Sequence, residues 1–512
     1  MLRVRGRVAI ASVLHGATAP LAGREDSRME VGTILLLVGA ILTASIVVAL
    51  GASRTGVPSL VAFLALGMLL GSDGPGGIEF DDAELARTVG VIGLAAILFE
   101  GGLSTSWRRL RQVAVPAALL STIGVAVTAL LTGFSAYFLF DLTRLEAVLL
   151  GAVVSSTDAA AVFATLRFTN IRRRLARTLE AESGLNDPMA IALTIGLIEW
   201  ILEPEFGFPE LALVIGQKLG LGLVVGIGLG AVATWAFSRL PPSIGAFAPV
   251  ASIAAASLSF GAAEVIGGSG FLAVYLVGLA VGSTPSRYRR QLVGFHEGIA
   301  FLAQVAMFIV LGLLVFPRDL PDVAIPGLIL AALLVVVIRP AAVWLSVVRQ
   351  DYTQRERALL GWAGLRGAVP IVLGTFVLSS EVESAKTIFN AVFFVVVISV
   401  LVQGMTLERV AARLGLVSPG PAVVTAPLEL DALSSLELVD FAVAGDHSIA
   451  GAAVRELGLP RDALIAVVAR HGETIPPRGS TVIEPGDRLF VLVPRTKRAD
   501  LEDVFSRWRR RV

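Results

Sequence analysis

The stretch "EAESGLNDPMAI" at residues 180–191 places two glutamates, a serine, an asparagine, an aspartate and a proline inside a densely apolar chain. Ionisable residues inside a membrane span are costly, and by default they mark functional sites. The aspartate of this stretch, Asp187, is therefore the first candidate for a transport site. Whether it lies in a membrane depends on the composition and patterning of the rest of the chain.

The composition is that of a membrane protein. The 512 residues are 55% hydrophobic and 16% charged, with a mean hydropathy of +0.80. Soluble domains average about 45–50% apolar and about 25% charged residues. The net charge of +1 argues against a nucleic-acid partner. The lack of cysteine excludes disulfides and thiolate chemistry, and four scattered histidines leave little room for a metal, so no cofactor is expected.

Apolar runs of about 17–25 residues predict membrane helices, and the chain contains about thirteen of them. They cover residues 31–51, 57–72, 86–104, 113–138, 144–166, 177–200, 210–238, 245–265, 268–283, 295–317, 322–348, 356–380 and 385–412. The connecting loops alternate between arginine-rich ones, such as "RRR" at 172–174, and acidic or neutral ones. The positive-inside rule places the arginine-rich loops and the C-terminus in the cytoplasm. We predict an all-α polytopic protein of the cell inner (plasma) membrane.

Two of these spans are interrupted at corresponding positions of the two halves. The fifth carries the polar run Ser155 to Asp158, and the twelfth carries "WAGLRGAVP" at 362–370 with Arg366 inside it. Paired interruptions of this kind indicate inverted repeats with a binding site near the midplane. Freed backbone carbonyls there can ligate a cation, and Asp158 and Arg366 are predicted to compensate the dipoles of the half-helices.

The chemistry of the site follows from Asp187. Burial disfavours the charged form of a carboxylate, so this side chain can hold either a proton or a monovalent cation. Competition for one site couples opposite movements of the two ions, and the neutral neighbour Asn186 leaves one exchangeable charge. Glu182 lies five residues before Asp187, so the two carboxylates do not lie on the same face of a helix and cannot bind one cation together. We predict that Arg366 is its partner, because either charge alone would be costly to bury.

Five segments together carry a family resemblance: "FEGGL" (99–103), "STDAAAVFATLR" (156–167), "ESGLNDPMAI" (182–191), "GLRGAVPIVLGTF" (364–376) and "LVQGMTLERVAARLGL" (401–416). They look like the electroneutral branch of the cation:proton antiporter superfamily, over residues 31–415. This resemblance implies two inverted six-helix repeats with interrupted, crossing helices, joined by a connector span. It also implies a dimerisation domain beside a moving transport domain, and hence a homodimer in the lipid membrane.

The resemblance also assigns roles to residues of the site. Asp187 would be the carboxylate that exchanges its ion, and Asn186 its neutral neighbour. Thr157, Ser183 and Glu100 would be further cation ligands. Asp158 would balance the crossing of the interrupted helices, and the pair of Glu182 and Arg366 would be structural.

The transported cation is less closely defined. Many sodium-type members read Thr-Asp-Pro where this chain has Thr157, Asp158 and Ala159. The alanine form looks like the potassium/proton members of the branch. The expected function is therefore electroneutral exchange of K⁺ for H⁺, with a sodium/proton antiporter as the alternative.

The composition changes after residue 415, where a proline-punctuated linker (416–430) leads to a second domain (431–512). Alternation and apolar runs predict a small α+β domain in the order β-α-β-β: strands in "ELVDFAV", "ALIAVVA" and "DRLFVLVP", and a helix in "SIAGAAVRELG" that Ser448 caps and Gly458 ends. The pattern resembles the TrkA-C regulatory domain of potassium-conductance regulators. No G-x-G-x-x-G motif precedes it, so the nucleotide-binding half of such regulators is absent from the pattern. Sensing of a small-molecule ligand and plain dimerisation both remain open for this domain.

Residues 1–28 precede the first span and are predicted to be a disordered or artefactual extension of the transmembrane domain (29–415). An ion channel gated by the tail is disfavoured because no filter-like segment repeats. A membrane enzyme would need a nucleophile with its base or a metal motif, and neither a Ser-His arrangement nor HExxH appears. The protein is therefore expected to be a transporter and not an enzyme.

Overall fold

The computed structural model describes residues 24–55, 57–158, 162, 171–239, 247–284, 286, 288–417, 436–460, 462–470, 473–494 and 497–508. The chain divides into two compact units, Met1–Gly420 and Pro421–Val512. Most of the predicted N-terminal extension and of the linker, and the second half of the fifth predicted span, lie outside the described residues.

The first unit is helical. Its helices are α1 Arg24–Thr55, α2 Ser59–Leu70, α3 Ala83–Ser104, α4 Trp107–Leu110, α5 Ala114–Leu119, α6 Val125–Leu139, α7 Arg144–Val153, α8 Arg173–Leu202, α9 Phe208–Arg239, α10 Ala248–Val265, α11 Gly270–Ser283, α12 Arg289–Leu313, α13 Pro321–Leu333, α14 Arg339–Val347, α15 Gln354–Trp362, α16 Ala368–Leu378 and α17 Ala385–Arg413. A single 3₁₀ turn, Pro317–Asp319, precedes α13.

The predicted polytopic membrane fold is confirmed. Within the described part of the chain, nine helices are long and apolar enough to cross a membrane, and three shorter apolar helices accompany them. Large apolar side chains such as Leu36 and Val224 remain exposed on helix surfaces, as expected where lipid covers them. The exact number of thirteen spans stays a prediction.

Matching local features recur in the two halves of the unit. A π-helical turn joins α5 to α6 at Leu120–Gly124, and another joins α13 to α14 at Leu334–Ile338. The next helix in each half begins with a capping box. Thr143 and Glu146 form the box at the start of α7, and Thr353 and Glu356 form it at the start of α15. Each box satisfies backbone N–H groups at the first turn, so α7 and α15 begin in the same way, as a repeated fold predicts.

The second unit is a four-stranded antiparallel sheet with one helix. Its strands are β1 Leu436–Ala442, β2 Leu464–Arg470, β3 Glu473–Ile475 and β4 Arg488–Pro494, in the spatial order β1-β4-β2-β3. Helix α18, Arg498–Trp508, follows β4. Its Trp508 donates a 2.7 Å hydrogen bond to the carbonyl of Leu457 and contacts Phe441 and Phe505 in the core.

The predicted β-α-β-β order of this unit is wrong in detail. The segment 448–458 forms turns and a 3₁₀ turn, Val454–Glu456, instead of an α-helix. Gly451, inside the predicted helix, adopts a φ angle of +87°, which a right-handed helix cannot accommodate. The helix instead follows the last strand, where none was predicted, and β3 is a fourth strand beyond the three predicted ones.

Candidate ion-exchange site

The chain segments that follow α7 and α15 are hydrogen-bonded to each other. Helix α7 ends at Val153 and α15 ends at Trp362, and non-helical residues follow each of them. The backbone N–H of Asp158 donates a 2.9 Å hydrogen bond to the carbonyl of Leu365. Both helices thus end where the polar and glycine residues predicted a break, and the two ends lie against one another.

The Asp158 side chain lies at the start of the second half-helix. Gly367 is the residue before α16, and a Cβ atom there would overlap the carboxylate of Asp158. A negative charge near a helix N-terminus is favoured by the partial positive charge of the unpaired N–H groups. This placement supports the predicted role of Asp158 in balancing the crossing, and it explains why residue 367 has no side chain.

Helix α8 brings Asn186 and Asp187 to the broken segment after α7. The Asn186 side chain donates a 2.7 Å hydrogen bond from Nδ2 to the Thr157 hydroxyl, and both residues are buried. Asp187 is 5% exposed, and Asp158 acts on it electrostatically. The structure therefore brings together four of the predicted site residues: Thr157, Asp158, Asn186 and Asp187.

Several buried oxygen atoms at this point lack a hydrogen-bond donor among the described residues. They are Ser156 Oγ, Asn186 Oδ1 and Asp187 Oδ1. Pro188 also lies in this helix, and it has no N–H to donate to the carbonyl of Gly184 one turn earlier. Unpaired buried acceptors are costly unless a ligand satisfies them. Oxygen atoms of this kind suit a hard monovalent cation, and one carboxylate among them can take a proton instead.

Tyr275 of α11 packs directly against the same helix. A Cβ atom on Gly184 would overlap the tyrosine ring and hydroxyl. Tyr275 is 2% exposed, and Thr105, Glu180 and Asp187 all act on its hydroxyl group. The ring therefore fills the space beside α8 on the side of Glu180, one turn before Asp187. The sequence analysis did not single out Tyr275.

The two further predicted cation ligands, Ser183 and Glu100, lie in different parts of the structure. Ser183 is half-buried one helical turn before Asp187, on the same face of α8. Glu100, in the last turn of α3, accepts a 2.6 Å hydrogen bond from Ser104, and the carboxylates of Glu297 and Glu180 act on it. The structure thus groups Glu100 with Glu180 and Glu297, and its binding to an ion held by Asp187 stays a prediction.

Glu182 is paired, but with a different arginine from the one expected. Arg339 Nη2 donates a 2.5 Å hydrogen bond to Glu182 Oε1, and both side chains are at most 2% exposed. The predicted pair of Glu182 and Arg366 is therefore wrong. Arg366 instead donates from Nη1 to the Gly364 carbonyl at 3.2 Å, and Ser399 accepts from its backbone N–H at 3.2 Å. The charges of Glu182 and Arg339 nevertheless act on Arg366, so the three form one buried group.

The sequence offers a signal for Arg339, because this residue stands in the middle of an apolar span, next to Pro340. In the structure it begins α14, immediately after the π-helical turn, which aims it towards α8. A π-helical turn cannot be predicted from this sequence, and it changes which side of the helix the next residue faces.

Among the described residues, no three His, Asp or Glu side chains are grouped as metal ligands.

Comparisons with known proteins agree with this geometry. Residues 41–413 match the family model described as the transmembrane sodium/hydrogen exchanger, and residues 438–506 match the TrkA-C domain. The K(+)/H(+) antiporter NhaP2 of Shewanella baltica is 39% identical over 92% of this chain and 82% of its own. The Na(+)/H(+) antiporter ApNhaP of Aphanothece halophytica is 30% identical over 67% of this chain and 68% of its own.

The fold is also similar to a solved structure. The sodium proton antiporter MjNhaP1 of Methanocaldococcus jannaschii superposes with a TM-score of 0.65 at 23% identity, covering 74% of this chain and 99% of that one. At this level of identity the likeness concerns the fold alone. Together with the matched family model and the 39% identical relative, it leads to one conclusion. The chain belongs to the sodium/hydrogen exchanger family, and its transmembrane part is followed by a TrkA-C domain.

Proposed function

We propose that this protein is a secondary transporter that exchanges K⁺ for H⁺ across the cell membrane, one for one, through Asp187. The observation that carries the proposal is the buried Asp187 Oδ1, which has no hydrogen-bond partner among the described residues and lies beside the bonded breaks after α7 and α15. A carboxylate in this position has to be neutralised by a bound proton or a bound cation. It cannot hold both, and that exclusion couples the two ions.

The other residues of the site have supporting roles in this mechanism. The hydroxyl groups of Ser156 and Thr157 and the Oδ1 atom of Asn186 provide oxygen atoms that replace part of the cation's water. The neutral Asn186, held by its hydrogen bond to Thr157, keeps a second charge out of the site. One cation therefore replaces one proton, so no net charge moves in a full cycle. Asp158 stays at the start of α16 and balances the half-helix whether or not an ion is bound.

Potassium is favoured over sodium by two observations. The relative that is 39% identical is named a K(+)/H(+) antiporter, whereas the relative named a Na(+)/H(+) antiporter is 30% identical over a shorter region. Ala159 follows the Thr157–Asp158 pair, as in the potassium-type members that the sequence resembles. Sodium/proton exchange through the same site is the second candidate.

The proposal extends to partners and regulation. The resemblance to antiporters with separate dimerisation and transport domains supports a homodimer, and the TrkA-C domain supports regulation of exchange by a ligand in the cytoplasm.

The experiment is a comparison of cations in proteoliposomes. A pH gradient is established, and K⁺, Na⁺, Rb⁺ or Li⁺ is added separately while an internal pH dye is followed. We expect K⁺ to dissipate the gradient at lower concentration than Na⁺. If Na⁺ dissipates the pH gradient at the same concentration as K⁺ or at a lower one, the second candidate, sodium/proton exchange, replaces potassium/proton exchange. Dissipation by none of the four, from protein that is folded, would contradict the exchange function itself.

A further inference from the structure

A cavity of about 420 Å³ opens at the arginine-rich end of the transmembrane unit, away from the ion-exchange site. Three short segments line it: Arg172 just before α8, residues 353–355 at the start of α15, and residues 414–416 after α17. All of these residues are described and belong to one unit. The transport mechanism uses none of them.

The third wall of the cavity is fixed in place by backbone hydrogen bonds. Helix α17 ends with Gly415 at a φ of +68°, and Leu416 N–H donates to the Ala411 carbonyl at 3.1 Å. This is the left-handed cap that glycine allows at a helix C-terminus. The carbonyl of Leu416 accepts from Arg172 N–H at 3.3 Å, and Ile171 pairs with Val417 as an isolated β-bridge. The chain leaving α17 is therefore bonded to the chain entering α8.

The charge of the cavity is positive. Arg172 and Arg355 both line it, and the Arg355 guanidinium lies over Gly415. Glu356, which forms a 3.3 Å ion pair with Arg172, offsets part of this charge. Arg355 makes no ion pair within the described part of the chain. The starts of α8 and α15 meet here as well, and helix N-termini add partial positive charge.

We propose that this cavity binds a phosphate-bearing anion, with its phosphate between Arg172 and Arg355. Arginine matches phosphate oxygens with paired N–H groups, and two arginines that line one cavity present several donors at once. Small-molecule sites range over about 300–1,000 Å³. The cavity is therefore larger than a phosphate ion needs, and it has room for an attached glycerol or sugar. A nucleotide and an anionic lipid headgroup share this chemistry.

Binding of such a ligand affects transport, because the walls of the cavity are connected to helices of the exchange site. One wall precedes α8, which carries Asp187, the second begins the interrupted pair α15 and α16, and the third leads out of the transmembrane unit at residue 417. A phosphate that bridges Arg172 and Arg355 holds α8 and α15 together at this end. Binding therefore stabilises the conformation in which α8 and α15 are held together at this end, relative to any conformation in which these two helices separate.

Binding is tested on the full-length protein in detergent, without measuring transport, so a negative result would leave the exchange proposal intact. ADP serves as the soluble phosphate probe, followed by titration and by the melting temperature. Phosphatidylglycerol serves as the lipid probe, followed by native mass spectrometry. The main variant is Arg355→Gln, which removes a charge that no described ion pair uses. The matched control is Arg108→Gln, an exposed arginine of α4 outside the cavity.

We expect Arg355→Gln to weaken binding of one probe by about tenfold or more, the loss typical of a charge-assisted hydrogen bond, while Arg108→Gln stays near wild type. Loss confined to ADP identifies a free nucleotide-like anion, and loss confined to phosphatidylglycerol identifies a lipid headgroup. Gln354→Glu, which adds a negative charge to the wall without removing arginine, should weaken the same probe. Equal binding by wild type and both cavity variants, or equal loss in Arg108→Gln, would overturn the proposal.

Discussion

Arg339 and Glu182 form an ion pair of 2.5 Å in the interior of the transmembrane unit, and this pair joins α14 to α8 five residues before Asp187. Arg366 lies within electrostatic reach of the pair, so one carboxylate serves two guanidinium groups. A buried pair contributes little net stability compared with apolar packing, but the loss of one partner strands a charge.

The first prediction concerns this pair. Glu182→Gln and Arg339→Gln should each destabilise the protein by about 3–5 kcal/mol, because each leaves an uncompensated buried charge. The double variant should recover part of the loss, since the two sites interact directly. Melting curves in detergent measure all three. Purely additive losses would remove the pairing.

An exposed pair provides the control for these measurements. The Oδ1 atom of Asp73 lies 3.5 Å from the Nη1 atom of Arg318, and the Arg318 side chain is 67% exposed. Asp73→Asn should change stability by only about 0–1 kcal/mol, as solvent-exposed ion pairs usually do. A loss in Asp73→Asn as large as that in Glu182→Gln would mean that the assay does not report on burial.

The second prediction concerns the packing of Tyr275 on α8. Gly184→Ala places a methyl group where the tyrosine ring lies, so either the ring or the helix has to move. We expect exchange to fall at least about tenfold, because displacement of a positioned group by about 1 Å can cost that much or more. The matched control is Gly228→Ala in α9, where the added carbon meets nothing within 4 Å. Exchange rates in proteoliposomes decide, and equal activity of the two variants would show that the contact is not needed.

The third prediction concerns voltage. If one K⁺ replaces one H⁺ at Asp187, the exchange rate should not respond to membrane potential. Each net charge moved would otherwise change the driving free energy by about 2.3 kcal/mol per 100 mV. The potential is set with a thiocyanate gradient, because a potassium ionophore would collapse the substrate gradient. A rate that follows the imposed potential would require unequal stoichiometry.

The fourth prediction concerns the TrkA-C domain. A chain that ends at Val417 retains every residue placed at the exchange site, so it should still exchange ions. The pH dependence of its exchange should differ from that of the full chain if the domain regulates transport. The check is the exchange rate of both proteins measured from pH 6 to pH 9 in the same liposomes. Superimposable profiles would argue for a dimerisation role alone.

The sequence predicted the features of this fold that depend on local chemistry. The polar run at 155–158 and the glycines around Arg366 mark breaks that any apolar span would avoid, and the breaks appear where they were expected. The pairing of Glu182 could not be predicted in the same way. It depends on how α14 is rotated after a π-helical turn, which is a property of packing between helices. In the second unit, the apolar spacing of 448–458 favoured a helix, but Gly451 adopts a left-handed conformation that a right-handed helix cannot contain.

The most direct test of the shared-site mechanism is exchange by Asp187→Asn, measured in proteoliposomes with K⁺ against a pH gradient. The amide keeps the size of the side chain but can trade neither a proton nor a cation. Asp141→Asn, an exposed aspartate between α6 and α7, is the matched control. We expect a folded Asp187→Asn protein with exchange no faster than that of empty liposomes, and a control as active as wild type. Coupled exchange above the empty-liposome rate in Asp187→Asn would contradict the mechanism.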